Sequence, residues 1–348
     1  MTSKATTALW TGGYTADSDG NGRGIGRLTL DEAGAAAGFT EAADADSPSF
    51  LAAHPTLPVL YAVAEFAEQV RAFAVDGDAL TPLGETRSAG PATCHLAVSP
   101  DGAVLVATCW GSGEVFSYPL DAEGRIGEGH RHEPAADPYA DAGDPPITPG
   151  APRQSRAHFA LFLPDGRLLT TDLGFDLVRS WSVQGSELQS EAELVLPHGS
   201  GPRHLALGAD GWAHLVTEYS VEVFTLDIAD GNLTVSSACS ATRRALADGD
   251  TGAHITFTGN AVQVGIRGSN QIAVVAMGEN GSLRELEEQP CGGDTPRHHL
   301  VTDDPEGRVL HVACQGSDEV VSFALDERGV PGAEIGRVAV GSPSCLAI

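Results

Sequence analysis

Short apolar runs separated by polar turns recur along almost the whole chain. Each repeat contains an alternating run, a turn rich in Asp, Gly and Pro, a second apolar run, a polar loop and a third run that ends near Asp or Gly. This pattern predicts three antiparallel strands joined by tight turns. Clear copies begin at Ser47, Gly90, Ser155, Gly201 and Thr295, and a weaker copy begins at Gly252.

The spacing of the repeats indicates the architecture. Pro48 and Pro91 hold equivalent places 43 positions apart, and Pro296 and Pro343 lie 47 positions apart. A period of about 40 to 50 residues built only from strands is typical of a β-propeller. The apolar spacing of three and four that a helical solenoid requires is absent.

The two ends of the chain complete one further repeat. The last seven residues, SPSCLAI, copy the opening SPSFLAA at Ser47, and their continuation lies at the other end, where ALWTGGYT and GRGIGRLTLDEAG supply the second and third strands. We therefore predict an all-β fold, a seven-bladed β-propeller whose closing blade is shared by N- and C-terminal strands. Residues 1–348 are expected to form this single domain.

One interval between repeats is too long. Residues 123–154 are rich in Pro, Gly and Asp, and they are expected to form an extended loop that replaces the fourth strand of its blade and covers one mouth of the ring. His130 and His132 lie in this loop. An H-x-H pair in a solvated loop is usually not a ligand set, so we predict no metal site there.

Propeller geometry gathers the unusual side chains at one place. The first strand of each blade lines the central channel and the second runs antiparallel to it, so the start of the first and the end of the second meet at the same mouth. Starts of first strands supply His158, Arg203, His204, Arg297 and His298, and ends of second strands supply Glu65, Trp110, Asp172, Glu218, Arg267 and Gln315.

Composition sharpens this picture. The 348 residues include 20 Lys plus Arg against 47 Asp plus Glu, a formal net charge of −27. Nucleic acid and anionic membranes are therefore unsuitable partners. Three of the few basic residues, Arg203, Arg267 and Arg297, nevertheless face one mouth, which favours a pocket for a small anion. The alternative is that Arg203 and Arg267 form structural ion pairs between blades with Glu218, Asp172 and Glu65.

Other sequence signals limit the function further. No secretory signal or stretch of about 18 apolar residues is present, so we expect a cytoplasmic protein. The six cysteines are far apart and are expected to be reduced. A GxGxxG-like stretch at residues 22–26 lies between two strands and lacks the helix that a dinucleotide site needs, so no cofactor is expected. The sequence leaves a homo-oligomer open.

The repeats resemble a known family, the seven-bladed propeller lactonases. It includes one bacterial type of 6-phosphogluconolactonase and the fungal 3-carboxy-cis,cis-muconate lactonizing enzyme. The likeness covers essentially the whole chain, including the divided blade. It implies a site that forms or hydrolyses a lactone with a His, a Glu and arginines, without metal or nucleotide. The segments that carry it are residues 153–178, 199–223, 266–275 and 292–321, with GPRH at 201–204 and TPRH at 295–298.

Carried over residue by residue, the resemblance assigns catalysis to His158, Arg203, Glu218 and Arg267. Arg203 and Arg267 would hold an anionic group or polarise the lactone carbonyl, and His158 would act as general base and then acid, with Glu218 orienting it or sharing that role. Arg297, His204, Asp172 and Gln315 are assigned to substrate binding. Two positions depart from the family pattern, because Arg156 replaces a histidine and Ile266 an asparagine.

Three functions follow from these observations. The leading one is hydrolysis of a sugar-acid lactone, most concretely 6-phosphogluconolactone in the pentose phosphate pathway, with a small anionic lactone as the substrate. The second is a cycloisomerase that closes a muconate-type diacid. The third is a non-catalytic propeller that binds partners through its faces.

Overall fold

Antiparallel strands make up almost all of the fold in this computed structural model, which describes residues 8–141, 153–209, 211–278, 282–304 and 307–348. Within these ranges, 29 strands form seven sheets, and the seven-bladed propeller is confirmed. The strands are β1 (Ala8–Gly13), β2 (Gly24–Leu30), β3 (Ala36–Asp44), β4 (Leu51–Ala53), β5 (Val59–Ala64), β6 (Gln69–Asp76), β7 (Ala79–Pro82), β8 (Arg87–Ser88), β9 (Thr93–Val98), β10 (Val104–Cys109), β11 (Val115–Pro119), β12 (His130–His132), β13 (Ala157–Phe162), β14 (Leu168–Asp172), β15 (Leu177–Gln184), β16 (Glu187–Val195), β17 (Pro202–Leu207), β18 (Ala213–Thr217), β19 (Glu222–Asp227), β20 (Thr234–Ser240), β21 (Thr251–Thr258), β22 (Ala261–Arg267), β23 (Gln271–Met277), β24 (Leu283–Pro290), β25 (Pro296–Asp304), β26 (Gly307–Cys314), β27 (Glu319–Leu325), β28 (Pro331–Ala339) and β29 (Pro343–Ala347).

Each blade follows the chain in order except the one that closes the ring. In spatial order the sheets are β4-β5-β6-β7 with β8 beside β6, β12-β11-β10-β9, β13-β14-β15-β16, β17-β18-β19-β20, β21-β22-β23-β24, β25-β26-β27-β28 and β29-β1-β2-β3. Thr11 of β1 pairs with Leu346 of β29, so the C-terminal strand is the inner strand of a sheet whose other strands come from the N-terminus. Closure in this way leaves no open sheet edge at the junction of the chain ends.

The core lies between neighbouring blades. In several blades the second strand is buried along its whole length, as in Val59–Ala64, Val104–Cys109 and Ala213–Thr217. Leu169 of one blade and Leu215 of the next belong to the same buried cluster. Because both faces of each second strand contact other blades, the apolar pattern there is nearly continuous. No helix among the described residues is long and apolar enough to span a membrane.

The predicted long loop at 123–154 is wrong in one respect. Its beginning keeps a short fourth strand, β12, which pairs with β11 through His132 and Val115. His132 also shares a hydrogen bond with Ser117 Oγ at 2.8 Å. Later in the segment, Arg153 forms ion pairs with Asp137 and Asp176. Residues 142–152 of the predicted loop lie outside the described residues.

Bulges at the starts of the first strands set up the site. Ala157 pairs with Asp172 and Phe159 pairs with Thr171, so His158 is an extra residue between two paired neighbours. A bulge of this kind turns a side chain away from the regular alternation of the strand. In the blade β21-β22-β23-β24, which we call blade five, two residues of β21 oppose one residue of β22 at the same place. The extra residues in other blades are Cys94, Arg203, Arg297 and Ser344.

Candidate active site

A ring of side chains follows the ends of the second strands. At most of these positions the backbone N–H donates to a carbonyl at the start of the first strand, as Glu218 does to Gly201 and Gln315 to Thr295. The equivalent position in blade five is Arg267, which pairs with Thr251. These contacts define the mouth ring, whose members are Tyr14, Glu65, Trp110, Leu173, Glu218, Arg267 and Gln315.

Two corrections follow from the mouth ring. The prediction placed Asp172 in it, but Leu173 holds that position. The Asp172 carboxylate accepts hydrogen bonds from Ser155 Oγ and from three backbone N–H groups, including that of Phe175 at 3.0 Å. It therefore holds the strand end in place, and its assignment to substrate binding is withdrawn. Tyr14 was missed, although it ends the second strand of the closing blade in the same register.

Two arginines share one carboxylate oxygen at the mouth. Arg203 Nε and Arg267 Nη2 lie 2.9 and 3.0 Å from Glu218 Oε2. Arg203 Nη1 also donates to the Ala253 carbonyl at 2.6 Å, and Arg267 Nη2 donates to the Gly252 carbonyl at 3.2 Å. The structural alternative is therefore partly correct, because Glu218 pairs with both arginines. One negative charge nevertheless faces two positive charges.

This arrangement is visible in the pKa values. Burial raises the pKa of Glu218, but Arg267 and Arg203 outweigh it and hold that pKa below its usual range. Burial and the neighbouring Arg267 lower the pKa of Arg203 to about 9. Glu218 is thus ionised and both guanidiniums are charged at pH 7. The cluster of these three residues carries a net positive charge.

Arg297 faces the same mouth with a different set of contacts. Its Nη2 donates to the Tyr14 hydroxyl at 2.6 Å, and the guanidinium lies 5.0 Å from the centre of the Tyr14 ring. Among the described residues, no carboxylate lies within ion-pair distance of Arg297. Glu65 is held by Ser49 Oγ, and burial raises its pKa even though Ser49 and Arg297 oppose the shift.

His158 lies in the first-strand bulge beside these groups. It is 7% exposed, and in the described part of the chain its Nδ1 has no hydrogen-bond partner. Burial and the positive charge of Arg203 hold its pKa well below 6.5. The imidazole is therefore neutral at pH 7 and can accept a proton. None of the hydrogen bonds among the described residues joins Glu218 to His158, so Glu218 orients the arginines instead.

His204 lies one level deeper than predicted. It belongs to a closed circle of six rings below the mouth, with neighbouring centroids 3.9 to 5.8 Å apart. We call this circle the aromatic layer. His204 is 4% exposed, and its ring nitrogens lie within hydrogen-bond distance of Arg203 and His254, so its assignment to substrate binding stays a prediction. The members are Phe50, His95, Phe159, His204, His254 and His298.

The remaining residues singled out in the sequence differ in their surroundings. Gln315 is half-buried, and among the described residues its Oε1 has no partner, so it stays a candidate. Trp110 is exposed, and the Arg156 guanidinium lies over its ring, 3.6 Å from the ring centre. The residue that replaces the family histidine thus adds another cation at the mouth. Ile266 is buried with Val264 between blades and does not reach the mouth.

The mouth therefore combines a neutral imidazole with guanidinium edges that protein atoms leave open. Among the described residues, Arg203 uses Nε and Nη1 for hydrogen bonds and leaves Nη2 without a protein partner. Arg297 uses only Nη2. Such groups can bind an oxyanion and move a proton beside it.

Comparison with known proteins agrees with this geometry. The family model described as Lactonase, 7-bladed beta-propeller matches residues 8–348. The chain is 26% identical over 298 residues to the 6-phosphogluconolactonase of Bacillus subtilis, covering 82% of each, and 27% identical over 267 residues to that of Pectobacterium atrosepticum, covering 75% of each. The structure of the periplasmic gluconolactonase of Pseudomonas aeruginosa superposes with a TM-score of 0.86 at 26% identity and 98% coverage of both chains. The chain belongs to the seven-bladed β-propeller lactonase family.

Proposed function

We propose that the protein hydrolyses a sugar-acid lactone that carries a second, anionic group, most concretely 6-phosphogluconolactone to 6-phosphogluconate. The names of the two curated relatives support this substrate. The observation that carries the proposal is Arg297, a mouth guanidinium without a carboxylate partner among the described residues. A phosphate would complete its pairing.

The proposed mechanism uses the neutral His158 as general base. A water oxygen attacks the lactone carbonyl carbon while His158 takes the water proton, and the negative charge that develops on the carbonyl oxygen is stabilised by Arg203 and Arg267. The ring C–O bond then breaks, and protonated His158 returns the proton to the leaving alkoxide. The carboxylic acid that forms ionises in water.

Glu218 and Arg297 have supporting roles in this proposal. Glu218 holds Arg203 and Arg267 side by side against their mutual repulsion. Arg297 binds the distal phosphate at the other side of the mouth, with Tyr14 and Glu65 behind it. Binding energy gained at the phosphate is thereby used to orient the lactone.

The test compares two substrates, 6-phosphoglucono-δ-lactone and unphosphorylated glucono-δ-lactone, with spontaneous hydrolysis subtracted. We expect His158→Ala to lower kcat for both substrates by a factor on the order of one hundred or more. Arg297→Gln should lower kcat/KM for the phosphorylated lactone by about ten- to one-hundred-fold and spare the unphosphorylated one.

Several outcomes would contradict the proposal. Wild-type protein that turns over neither lactone, or turnover that His158→Ala leaves unchanged, excludes this hydrolysis. Cyclisation of a muconate-type diacid under the same conditions would instead favour the cycloisomerase. The cytoplasmic location stays a prediction, and the Pseudomonas aeruginosa relative is named a periplasmic protein.

A further inference from the structure

Arg203 is held from below by residues outside the predicted catalytic set. Its Nη1 donates to the Ala253 carbonyl and lies 3.1 Å from His204 Nε2. His204 Nδ1 lies 2.7 Å from His254 Nδ1. A continuous line of hydrogen bonds therefore runs from the guanidinium through one imidazole to a second.

The chemistry of the donors gives this line one direction. A guanidinium only donates hydrogen bonds, so His204 Nε2 must carry a lone pair. Neutral His204 then has its proton on Nδ1 and donates it to His254 Nδ1. His254 must accept there, and its own proton is on Nε2. Arg203 thus imposes a tautomer on both histidines.

His254 is rigidly placed for this task. Ala253 and His254 are the two bulged residues of β21, so one bulge presents both the carbonyl and the imidazole that hold Arg203. The other side of the His254 ring stacks on His298, with centroids 3.9 Å apart and an interplanar angle of 23°. Packing in the aromatic layer therefore holds His254 in place, and His254 accepts the hydrogen bond that orients His204.

We propose that His254 is a positioning residue for the lactonase reaction: acting through His204, it orients Arg203 so that Nη2 points toward the reacting carbonyl. The catalytic part of this inference rests on the proposed function. The hydrogen-bonded line itself does not.

The surroundings keep both imidazoles neutral. The charged and titratable groups facing His204 are Arg203, His254, His158 and His95, and those facing His254 are His298, His299, Arg203 and His95. Burial and these neighbours hold the pKa values of both histidines well below 6.5. Each imidazole therefore keeps one lone pair and one N–H at pH 7.

The first experiment reads the tautomers directly. Wild-type protein labelled with ¹⁵N-histidine is examined by long-range ¹H–¹⁵N NMR at pH 7.5, with assignments from His204→Asn and His254→Asn. We expect His204 to carry its proton on Nδ1 and His254 on Nε2. The reverse tautomer at either residue, or a charged imidazole, overturns the proposal whether or not the protein proves to be a lactonase.

The second experiment separates positioning from packing. His254→Phe keeps a ring in the aromatic layer but removes the acceptor, and we expect kcat to fall about ten-fold with KM little changed, because Arg203 loses its orientation. His254→Asn keeps an acceptor near the Nδ1 position and should retain most of kcat. His95→Phe is the matched control from the same layer, because it also removes one hydrogen bond, from Ala160 N–H, but does not touch Arg203.

The outcomes are distinct. Equal losses in His254→Phe and His254→Asn, or a loss in His95→Phe as large as that in His254→Phe, would reduce His254 to a packing residue and overturn the proposal. In an Arg203→Lys background, His254→Phe should cause no further loss, since its effect passes through Arg203. If wild-type protein hydrolyses neither lactone, the proposed function fails, and the NMR result alone decides the hydrogen-bonded line.

Discussion

Arg337 and Arg244, which lie outside the mouth, are paired very differently from the arginines inside it. Arg337 contacts Glu319 at 2.5 Å and Glu334 at 2.7 Å, and Arg244 contacts Asp250 at 2.6 Å and Glu288 at 3.3 Å. Each has two carboxylates. At the mouth, by contrast, two arginines share Glu218 and a third contacts a phenol.

This difference supports the proposal that the mouth arginines bind a ligand. With a net charge of −27, carboxylates are abundant, and yet Arg203, Arg267 and Arg297 have only Glu218 within ion-pair distance among the described residues. Unpaired buried charge is unfavourable, so such an arrangement persists where a ligand completes it. We therefore expect substitutions at the mouth and outside it to have different effects.

The largest expected effect is on stability at acid pH. Burial holds the pKa values of five channel histidines well below 6.5, so the unfolded chain takes up protons there before the folded one does. At one pH unit below the unfolded pKa, each histidine that stays neutral in the fold lowers the free energy of unfolding by up to about 1.4 kcal/mol. These residues are His95, His158, His204, His254 and His298.

Urea unfolding at pH 7.5, 6.5 and 5.5 measures this loss. The outer ion pairs behave differently. Arg337 lowers the pKa of Glu334, so the stability that this pair contributes is lost only when the pH falls through the range in which carboxyl groups are protonated. An unfolding midpoint that stays constant down to pH 5 would show that the channel histidines are not neutral in the fold.

The next effect is that of Glu218→Gln, which removes the one anion between Arg203 and Arg267. We expect the free energy of unfolding to fall by about 3 to 5 kcal/mol, since two buried guanidiniums are left facing each other. The matched outer control, Glu334→Gln, should change it by less than about 1 kcal/mol. Equal effects in urea unfolding would mean that mouth and outer arginines are not distinct. Added inorganic phosphate should stabilise the Glu218→Gln variant more than the wild type.

The smallest effect is that of Tyr14→Phe. This change removes the hydroxyl that fixes Arg297 and keeps the ring below it. If Arg297 binds the distal phosphate, KM for 6-phosphoglucono-δ-lactone should rise about three- to ten-fold while kcat changes little, because one hydrogen bond to a charged group is lost. A fall in kcat with unchanged KM would place Tyr14 at the reacting centre instead.

Much of this architecture could be predicted from the sequence. Repeats with a period of about 40 to 50 residues and the copy of SPSFLAA at the C-terminus were sufficient for seven blades and a shared closing blade. Their register also brought Arg203, Glu218 and Arg267 to one opening, and the structure joins these three through Glu218.

The errors have a common physical cause. Side chains alternate along a strand, so a shift of one residue exchanges the two faces. The sequence pattern predicts Asp172 at the mouth, but the register puts Leu173 in the mouth ring. The bulges add a residue that a regular alternation does not anticipate, which is why Arg203 reaches the mouth and the adjacent His204 lies in the layer below.

The shared closing blade also orders the events of synthesis. The Ser342 carbonyl, just before strand β29, accepts a hydrogen bond from the Tyr14 N–H, and the Leu346 N–H of β29 donates to His298 in the aromatic layer. A nascent chain can assemble its internal blades as they leave the ribosome, but the ring and the mouth stay open until the last strand arrives. If the mouth binds an anion as we propose, we expect that binding only after β29 has been synthesised and has paired with β1, so anion binding would report a completed propeller.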